Sequence, residues 1–195
     1  MGATQSPAKV AVRDRLLTAR RRRSLLDVQI AAEAIAEHLL AVPDVRRAAT
    51  VAAYVSMDGE PGTAPLLDRL RAAGKRVVLP VLLPDDDLDW AVYPDARSLA
   101  PARFGMLEPT TEPLGLEAVA TADVVLVPGL AVDSRGYRLG RGGGSYDRAL
   151  GRVPVGTFTC ILLYDEEVGV AVPVEPHDRP VGWAVSPSGL RRLGP

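Results

Sequence analysis

Thr50-Val51-Ala52-Ala53-Tyr54-Val55 and, further on, Arg76-Val77-Val78-Leu79-Pro80-Val81 are apolar runs of strand length that do not alternate with polar residues. A strand with one wet face alternates; an unbroken run is expected where helices cover both faces of a parallel sheet. Thr63 to Ala73 reads as the helix between the two runs, stopped by Gly74. Strand, helix and strand make a βαβ unit. Downstream, Asp87 to Tyr93 alternates well enough for a strand, Ala122 to Val127 is a third apolar run bounded by Pro128-Gly129, and Thr157 to Leu163 supplies another. Strands alternating with helical segments predict an α/β fold with a mostly parallel sheet flanked by helices. Ligands bind such sheets at the C-terminal strand ends, so the functional loops are expected after Val55, Pro80 and Val127.

Upstream, Ala8 to Arg20 repeats Val12, Leu16 and Ala19 at helical spacing. Lys9, Arg13 and Arg20 fall within about 40° of one another on the same helix, a cationic stripe beside the apolar one. Ser24-Leu25-Leu26-Asp27 resembles a capped helix start, and Leu25, Val28, Ala32, Ile35 and Leu39 predict an inward face that runs until Pro43.

The chain has 195 residues, 47% hydrophobic and 24% charged, which fits one soluble domain covering residues 1–195. Its formal net charge of −1 gives no global field for nucleic acid or an anionic membrane, so an anion site must be local. Cys160 is the single cysteine, which excludes an intramolecular disulfide and a Cys-rich zinc site and suits a reducing cytoplasm. Met1 to Pro7 lacks the apolar core of a signal peptide, and Asp14 suits a folded helix better than a presequence. The expectation is a cytoplasmic monomer with a small-molecule substrate and no nucleic-acid or membrane partner.

The most informative loop is Pro128-Gly129-Leu130-Ala131-Val132-Asp133-Ser134-Arg135-Gly136-Tyr137-Arg138-Leu139-Gly140-Arg141-Gly142-Gly143-Gly144-Ser145-Tyr146-Asp147-Arg148. It follows a buried strand and precedes a short helix. Gly140, Gly142, Gly143 and Gly144 let successive amides turn toward one point, and a helix starting near Ser145 adds its positive end. Arg138 and Arg141 can add bidentate contacts to phosphate oxygens. The spacing is neither a Walker motif nor a Rossmann fingerprint, and a flexible surface turn is the plain alternative.

Arg138-Leu139-Gly140-Arg141-Gly142-Gly143-Gly144-Ser145-Tyr146-Asp147-Arg148, with Val127-Pro128-Gly129 and Asp133 before it, resembles the signature of the 5-formyltetrahydrofolate cyclo-ligase family. Similar stretches follow one another over nearly the whole chain. They are Lys9-x-x-x-Arg13 with Arg20, Tyr54-x-x-Met57-x-x-Glu60-x-x-Thr63, Gly74-Lys75-x-Val77-x-Leu79-Pro80, Phe104-Gly105-x-x-Glu108-Pro109, and Val172-Pro173-x-Glu175-x-His177-Asp178. The resemblance implies an open three-layer α/β fold and an enzyme that uses ATP and Mg²⁺ to close 5-formyltetrahydrofolate to 5,10-methenyltetrahydrofolate. It implies ATP contacts at Lys9, Arg13 and 138–146, including Leu139, with Arg138 and Arg141 stabilising the reacting phosphate. It places the folate at Val55, Glu60, Phe104 and Tyr146, and Mg²⁺ at Asp147 and Asp178. Ser145 departs from the family's usual tyrosine; serine keeps helix-capping ability and loses ring stacking.

Each of these residues has a plainer reading. The basic stripe can be a solvated helix face, Glu60 a loop carboxylate beside Pro61-Gly62, Asp147 a helix-start acid and Asp178 an Asx-turn residue. His38 is expected at the surface, His177 beside Asp178, and Cys160 in the core. Three rival functions stand against the enzyme: a non-catalytic folate- or nucleotide-binding relative, a related-fold enzyme acting on sugar phosphates or thioesters, and a nucleic-acid binder resting on Arg20 to Arg23.

Overall fold

The computed structural model describes residues 7–57 and 59–194. The expectation placed on Met1 to Ser6 lies outside the described residues. Two helices, α1 (Pro7–Arg20) and α2 (Leu25–Ala41), and a short α3 (Pro43–Arg47) precede strand β1 (Thr50–Ala52). Then come α4 (Ala64–Ala72), β2 (Arg76–Leu82), β3 (Leu88–Val92), β4 (Leu99–Pro101), β5 (Leu107–Pro109) and β6 (Val124–Val127). The chain closes with β7 (Ala131–Val132), β8 (Arg138–Leu139), α5 (Ser145–Arg152), β9 (Phe158–Leu162), β10 (Trp183–Ser186) and β11 (Gly189–Arg192).

Seven strands form one sheet in the order β11-β10-β9-β6-β1-β2-β3. The five inner strands are parallel, and β3 and β11 return antiparallel at the two edges. Alternate residues serve opposite faces. Val51, Val77, Leu126 and Leu162 pack against Ile35 and Leu39 of α2 and Leu66 and Leu70 of α4. Val78, Val125, Val127 and Ile161 pack on the other side with Ala149 and Leu150 of α5 and Val119 of a 3-10 turn at Leu116–Thr121. Both faces are therefore dry, which is why the strands read as unbroken apolar runs. Cys160 lies in the core with no exposure.

Two small hairpins lie outside the sheet. β4 and β5 pair antiparallel, and Glu108 of β5 accepts the amide of Leu82 at 3.0 Å, tying that hairpin to the end of β2. β7 and β8 pair antiparallel, with Leu130, Ala131 and Leu139 packed under Leu16 of α1. Gly136 turns this hairpin at φ +92°, and a Cβ there would stand 2.2 Å from the Val181 carbonyl oxygen. At the sheet edge beyond β3, Ala91 bridges to Pro113, Leu114 donates to the Trp90 carbonyl at 2.7 Å, and Thr111 Oγ1 donates to that of Val92 at 2.6 Å.

Several expectations are corrected. Leu25 is 89% exposed, and the buried face of α2 begins at Ala31 instead. The Ser24–Asp27 capping box is present, so the helix start owes its position to the cap and not to packing. Helix α2 ends at Ala41, and Pro43 opens α3, where a missing N–H costs nothing. Strand β2 runs past Pro80 to Leu82. His38 is half-buried, its Nε2 3.0 Å from the Pro187 carbonyl oxygen, because α2 packs against the β10–β11 turn.

Candidate active site

Counting only the parallel strands in chain order, the sheet runs β2-β1-β6-β9-β10, and the direction of winding reverses between β1 and β6. Loops leaving two such strands diverge and open a crevice at their C-terminal ends. The loop after β1 carries Val55 and Glu60, and the loop after β6 leads to residues 138–147, so the fold brings the two segments together.

Helix α1 lies over this end of the sheet with its cations inward. Lys9, Arg13, Leu16 and Arg20, spaced by four, three and four, are 6%, 9%, 6% and 2% exposed, whereas Ala19 faces solvent. The cationic stripe is thus the docking face and not a flank of it. Lys9 Nζ is 3.0 Å from Glu175 Oε2 and 2.9 Å from Asp178 Oδ2. Burial disfavours the ammonium, but the hydrogen bonds and charges of Asp178 and Glu175 outweigh it and leave its pKa raised. Arg13 Nε donates to the Gly140 carbonyl at 2.9 Å. Arg20 forks onto Glu167 at 2.8 Å with both Nε and Nη2, donates to the Gly129 carbonyl at 2.7 Å, and backs Gly59, where a Cβ would meet Arg20 Cβ at 3.3 Å.

The glycine-rich loop carries two different arginines. Arg141 is exposed and reaches across the crevice to Glu60 Oε1 at 3.2 Å. Glu60 is 5% exposed, and its other oxygen accepts the Met57 amide at 2.9 Å, closing its own loop. Arg138 is buried beneath Gly140: its Nη2 lies 3.0 Å from Asp147 Oδ1, yet neither Nη2 nor Nε has a hydrogen-bond acceptor in line among the described residues. Burial lowers its pKa, against the opposing charges of Asp147, Tyr146 and Asp178. The guanidinium also lies 5.7 Å from the Tyr146 ring centroid. Burial and then the charge of Glu60 push the Tyr146 phenol up, with Arg138 pulling the other way.

Gly144 is the residue that caps α5, at φ +70°, and Ser145 is the first residue inside the helix with no side-chain cap bond, which corrects the capping role expected for serine. Leu139 is buried in β8. Asp147, in the first turn of α5, accepts the amide of Arg179 at 3.1 Å. Asp178 precedes that amide and accepts the Glu175 amide at 2.7 Å, so the two aspartates stand at one corner of the crevice, with Arg138 within electrostatic reach of both. Glu175, His177 and Asp178 have ligand atoms within 4.8 Å of one another. Phe104 is not drawn into this group: it sits at the tip of the β4–β5 hairpin, 70% exposed, at φ +57°, beside Arg103. Val55, half-buried, packs on the core below Glu60.

Residues 5–187 match the 5-formyltetrahydrofolate cyclo-ligase family. The chain belongs to that family. It is 41% identical over 143 residues to the 5-formyltetrahydrofolate cyclo-ligase of Mycolicibacterium smegmatis, covering 71% of this chain and 73% of the relative. It is 37% identical over 161 residues to the enzyme of that name from Escherichia coli, covering 78% and 86%. The solution structure of Aquifex aeolicus 5,10-methenyltetrahydrofolate synthetase superposes with a TM-score of 0.80 at 29% identity, over 95% of this chain and 92% of that one. The protein is therefore an enzyme of the cyclo-ligase family with that family's α/β fold.

Around this crevice, sequence reasoning missed Glu167 and named Tyr54 only within the stretch that runs to Thr63; its buried phenol is pushed up by burial and then by Glu60. Glu167 sits in a short acidic turn at Asp165–Glu167 after β9, a fourth loop at the C-terminal sheet edge. The available signal was the 9-13-16-20 spacing: buried arginines need buried carboxylates, and Glu167 lies in the acidic turn that comes after β9.

Proposed function

We propose that the chain converts 5-formyltetrahydrofolate to 5,10-methenyltetrahydrofolate with ATP and Mg²⁺, releasing ADP and phosphate. The observation that carries this reading is Arg138, a buried guanidinium set under a glycine-rich loop, whose Nε meets no described acceptor and whose Nη2 is paired with Asp147 at 3.0 Å without an acceptor in line. Such donors are costly unless a ligand oxygen meets them, and a phosphate offers oxygens in the matching planar spacing. Arg141 lies in the same loop, Arg13 holds its Gly140 carbonyl and Lys9 pairs with Asp178 at the corner of the crevice, and phosphoryl transfer needs this kind of positioning and charge neutralisation.

In the proposed course, the formyl oxygen attacks the γ-phosphorus and ADP departs, leaving an imidate phosphate at N5. N10 then adds to the formyl carbon, loses its proton to solvent, and expels phosphate to give the methenyl bridge. Arg138 and Arg141 hold the phosphoryl oxygens; Leu139 to Tyr146 supply amides and packing to the nucleotide. Glu60 accepts N–H donors of the pterin edge, over Val55 and beside Tyr146; Phe104, exposed at its hairpin tip and outside this group, would meet the ring only from the solvent side. Asp147, Asp178 and the adjoining Glu175 are hard oxygen donors suited to Mg²⁺, and Asp147 and Asp178 would hold it. Bound there, the ion would neutralise phosphate charge. The chain acts as a single-domain cytoplasmic monomer on a small substrate; no described helix is long and apolar enough to cross a membrane.

The test is the absorbance of methenyltetrahydrofolate formed by purified protein. Product should appear when folate, ATP and a divalent cation are all present; equal turnover without ATP would overturn the proposal. Binding of both ligands without turnover would favour a non-catalytic relative.

A further inference from the structure

Arg148 is an exposed arginine close to the start of α5. It stands on α5 with its guanidinium folded back over the glycine-rich loop. Its Nη2 donates to the Gly143 carbonyl at 3.0 Å and to the Asp86 carbonyl at 2.6 Å. Asp86 occupies the β2–β3 turn in a left-handed conformation, φ +64°, and the next residue, Asp87, takes Arg152 on both carboxylate oxygens at 2.9 and 2.6 Å. Arg148 and Arg152 are one helical turn apart, so one face of α5 is fastened twice to the same turn. Only Arg148 also holds the loop.

A trans peptide carries its C=O and the following N–H on opposite sides. With the Gly143 carbonyl held on Arg148, the Gly144 N–H must point away from it. That amide has no backbone acceptor among the described residues. Two adjacent glycines otherwise offer the backbone many conformations, and a flip of their shared peptide would present a carbonyl where an amide had been. A carbonyl repels an anion that an amide attracts. The guanidinium further covers Gly144, its Nη1 3.2 Å from where a Cβ would stand.

We infer that Arg148 is a positioning residue for phosphate binding: it selects the orientation of the Gly143–Gly144 peptide and so presets the loop before nucleotide arrives. The inference rests on the phosphate reading of the loop proposed above. Three full-length variants test it: Arg148→Ala, Arg148→Lys and Arg152→Ala. ADP affinity is measured by calorimetry without folate, and KM for ATP and for folate by steady-state kinetics. Arg148→Ala should weaken ADP binding and raise the ATP KM about tenfold, as for one lost charge-assisted hydrogen bond, with the folate KM changed less than about twofold. Arg148→Lys should recover part of the loss. Arg152→Ala loosens the same turn without touching the carbonyl and should leave ADP affinity near that of the parent. Equal weakening in Arg148→Ala and Arg152→Ala would reduce Arg148 to a strut and overturn the inference, as would unchanged ADP affinity in Arg148→Ala. If the alanine variant does not fold, full ADP affinity in Arg152→Ala with weakened affinity in Arg148→Lys supports the inference, and full affinity in Arg148→Lys overturns it. A parent chain that binds no nucleotide overturns the phosphate reading itself, an outcome distinct from a parent that binds and a variant that does not differ.

Discussion

Lys9 Nζ lies 2.9 Å from Asp178 Oδ2, although 169 residues separate the two in the chain, and both side chains are less than a tenth exposed. The first helix and the last polar turn thus neutralise each other inside the site. Lys9→Ala should cost about 1 to 3 kcal/mol in urea unfolding, because Asp178 keeps only backbone and weaker partners. It should also raise the ATP KM. A variant as stable as its parent would show that solvent replaces the ammonium.

Arg141 and Glu60 join the glycine-rich loop to the loop after β1 at 3.2 Å. Glu60→Gln should raise the folate KM while ATP binding stays nearly intact. Because Arg141 is well exposed, their mutual coupling in a double-mutant cycle with Arg141→Gln should be about 0.5 to 1 kcal/mol. Strict additivity would mean that the pair opens in solution.

Asp147→Asn and Asp178→Asn should each raise the Mg²⁺ concentration for half-maximal rate by about tenfold or more, as loss of a hard anionic ligand does. Mn²⁺ titrations followed by electron paramagnetic resonance with ADP present check this apart from turnover. Asp147→Asn should in addition lower the thermal midpoint, since it leaves the buried Arg138 without its carboxylate.

Asp87 is held below the usual carboxylate range, first by its hydrogen bonds from Arg152. A carboxylate with a depressed folded-state pKa stabilises the protein above its unfolded pKa, near about 3.9, and that contribution is lost as pH falls through the folded value. Urea midpoints measured from pH 6 down to pH 3 should therefore fall more steeply for the parent than for Asp87→Asn. Parallel curves would assign the acid sensitivity to other carboxylates.

Gly136→Ala places a Cβ against the Val181 carbonyl in a left-handed backbone. Backbone strain and the clash together should cost about 3 kcal/mol or more, read as a drop in the urea midpoint.

The sheet was legible because burial on both faces leaves Val51, Val77, Val124 and their neighbours apolar without alternation. Strand order was not, since pairing β1 with β6 depends on which loops cross which face, and no residue type records that. β10 and β11 also escaped notice: Trp183 to Ser186 is short and follows a proline-rich stretch. On α1 the error lay in treating Lys9, Arg13 and Arg20 as a flank. Their carboxylate and carbonyl partners, at Glu167, Asp178 and Gly140, lie more than a hundred residues away, and only the folded chain reveals that charge can be a docking face. The glycine-rich loop and its arginines could be read because glycine and arginine carry their chemistry locally.

The strip of chain along the outer side of β3 also bears on how these molecules behave when crowded. An open sheet edge invites a strand from another copy, the first step toward ordered aggregates. Here Leu114 and Thr111 already use carbonyls of Trp90 and Val92, and Pro113 has no N–H to offer a newcomer. At the opposite margin β11 ends in Arg191-Arg192, exposed like charges that a second copy would have to bring together. Both margins are therefore closed to templated growth, one by occupied hydrogen bonds and the other by charge.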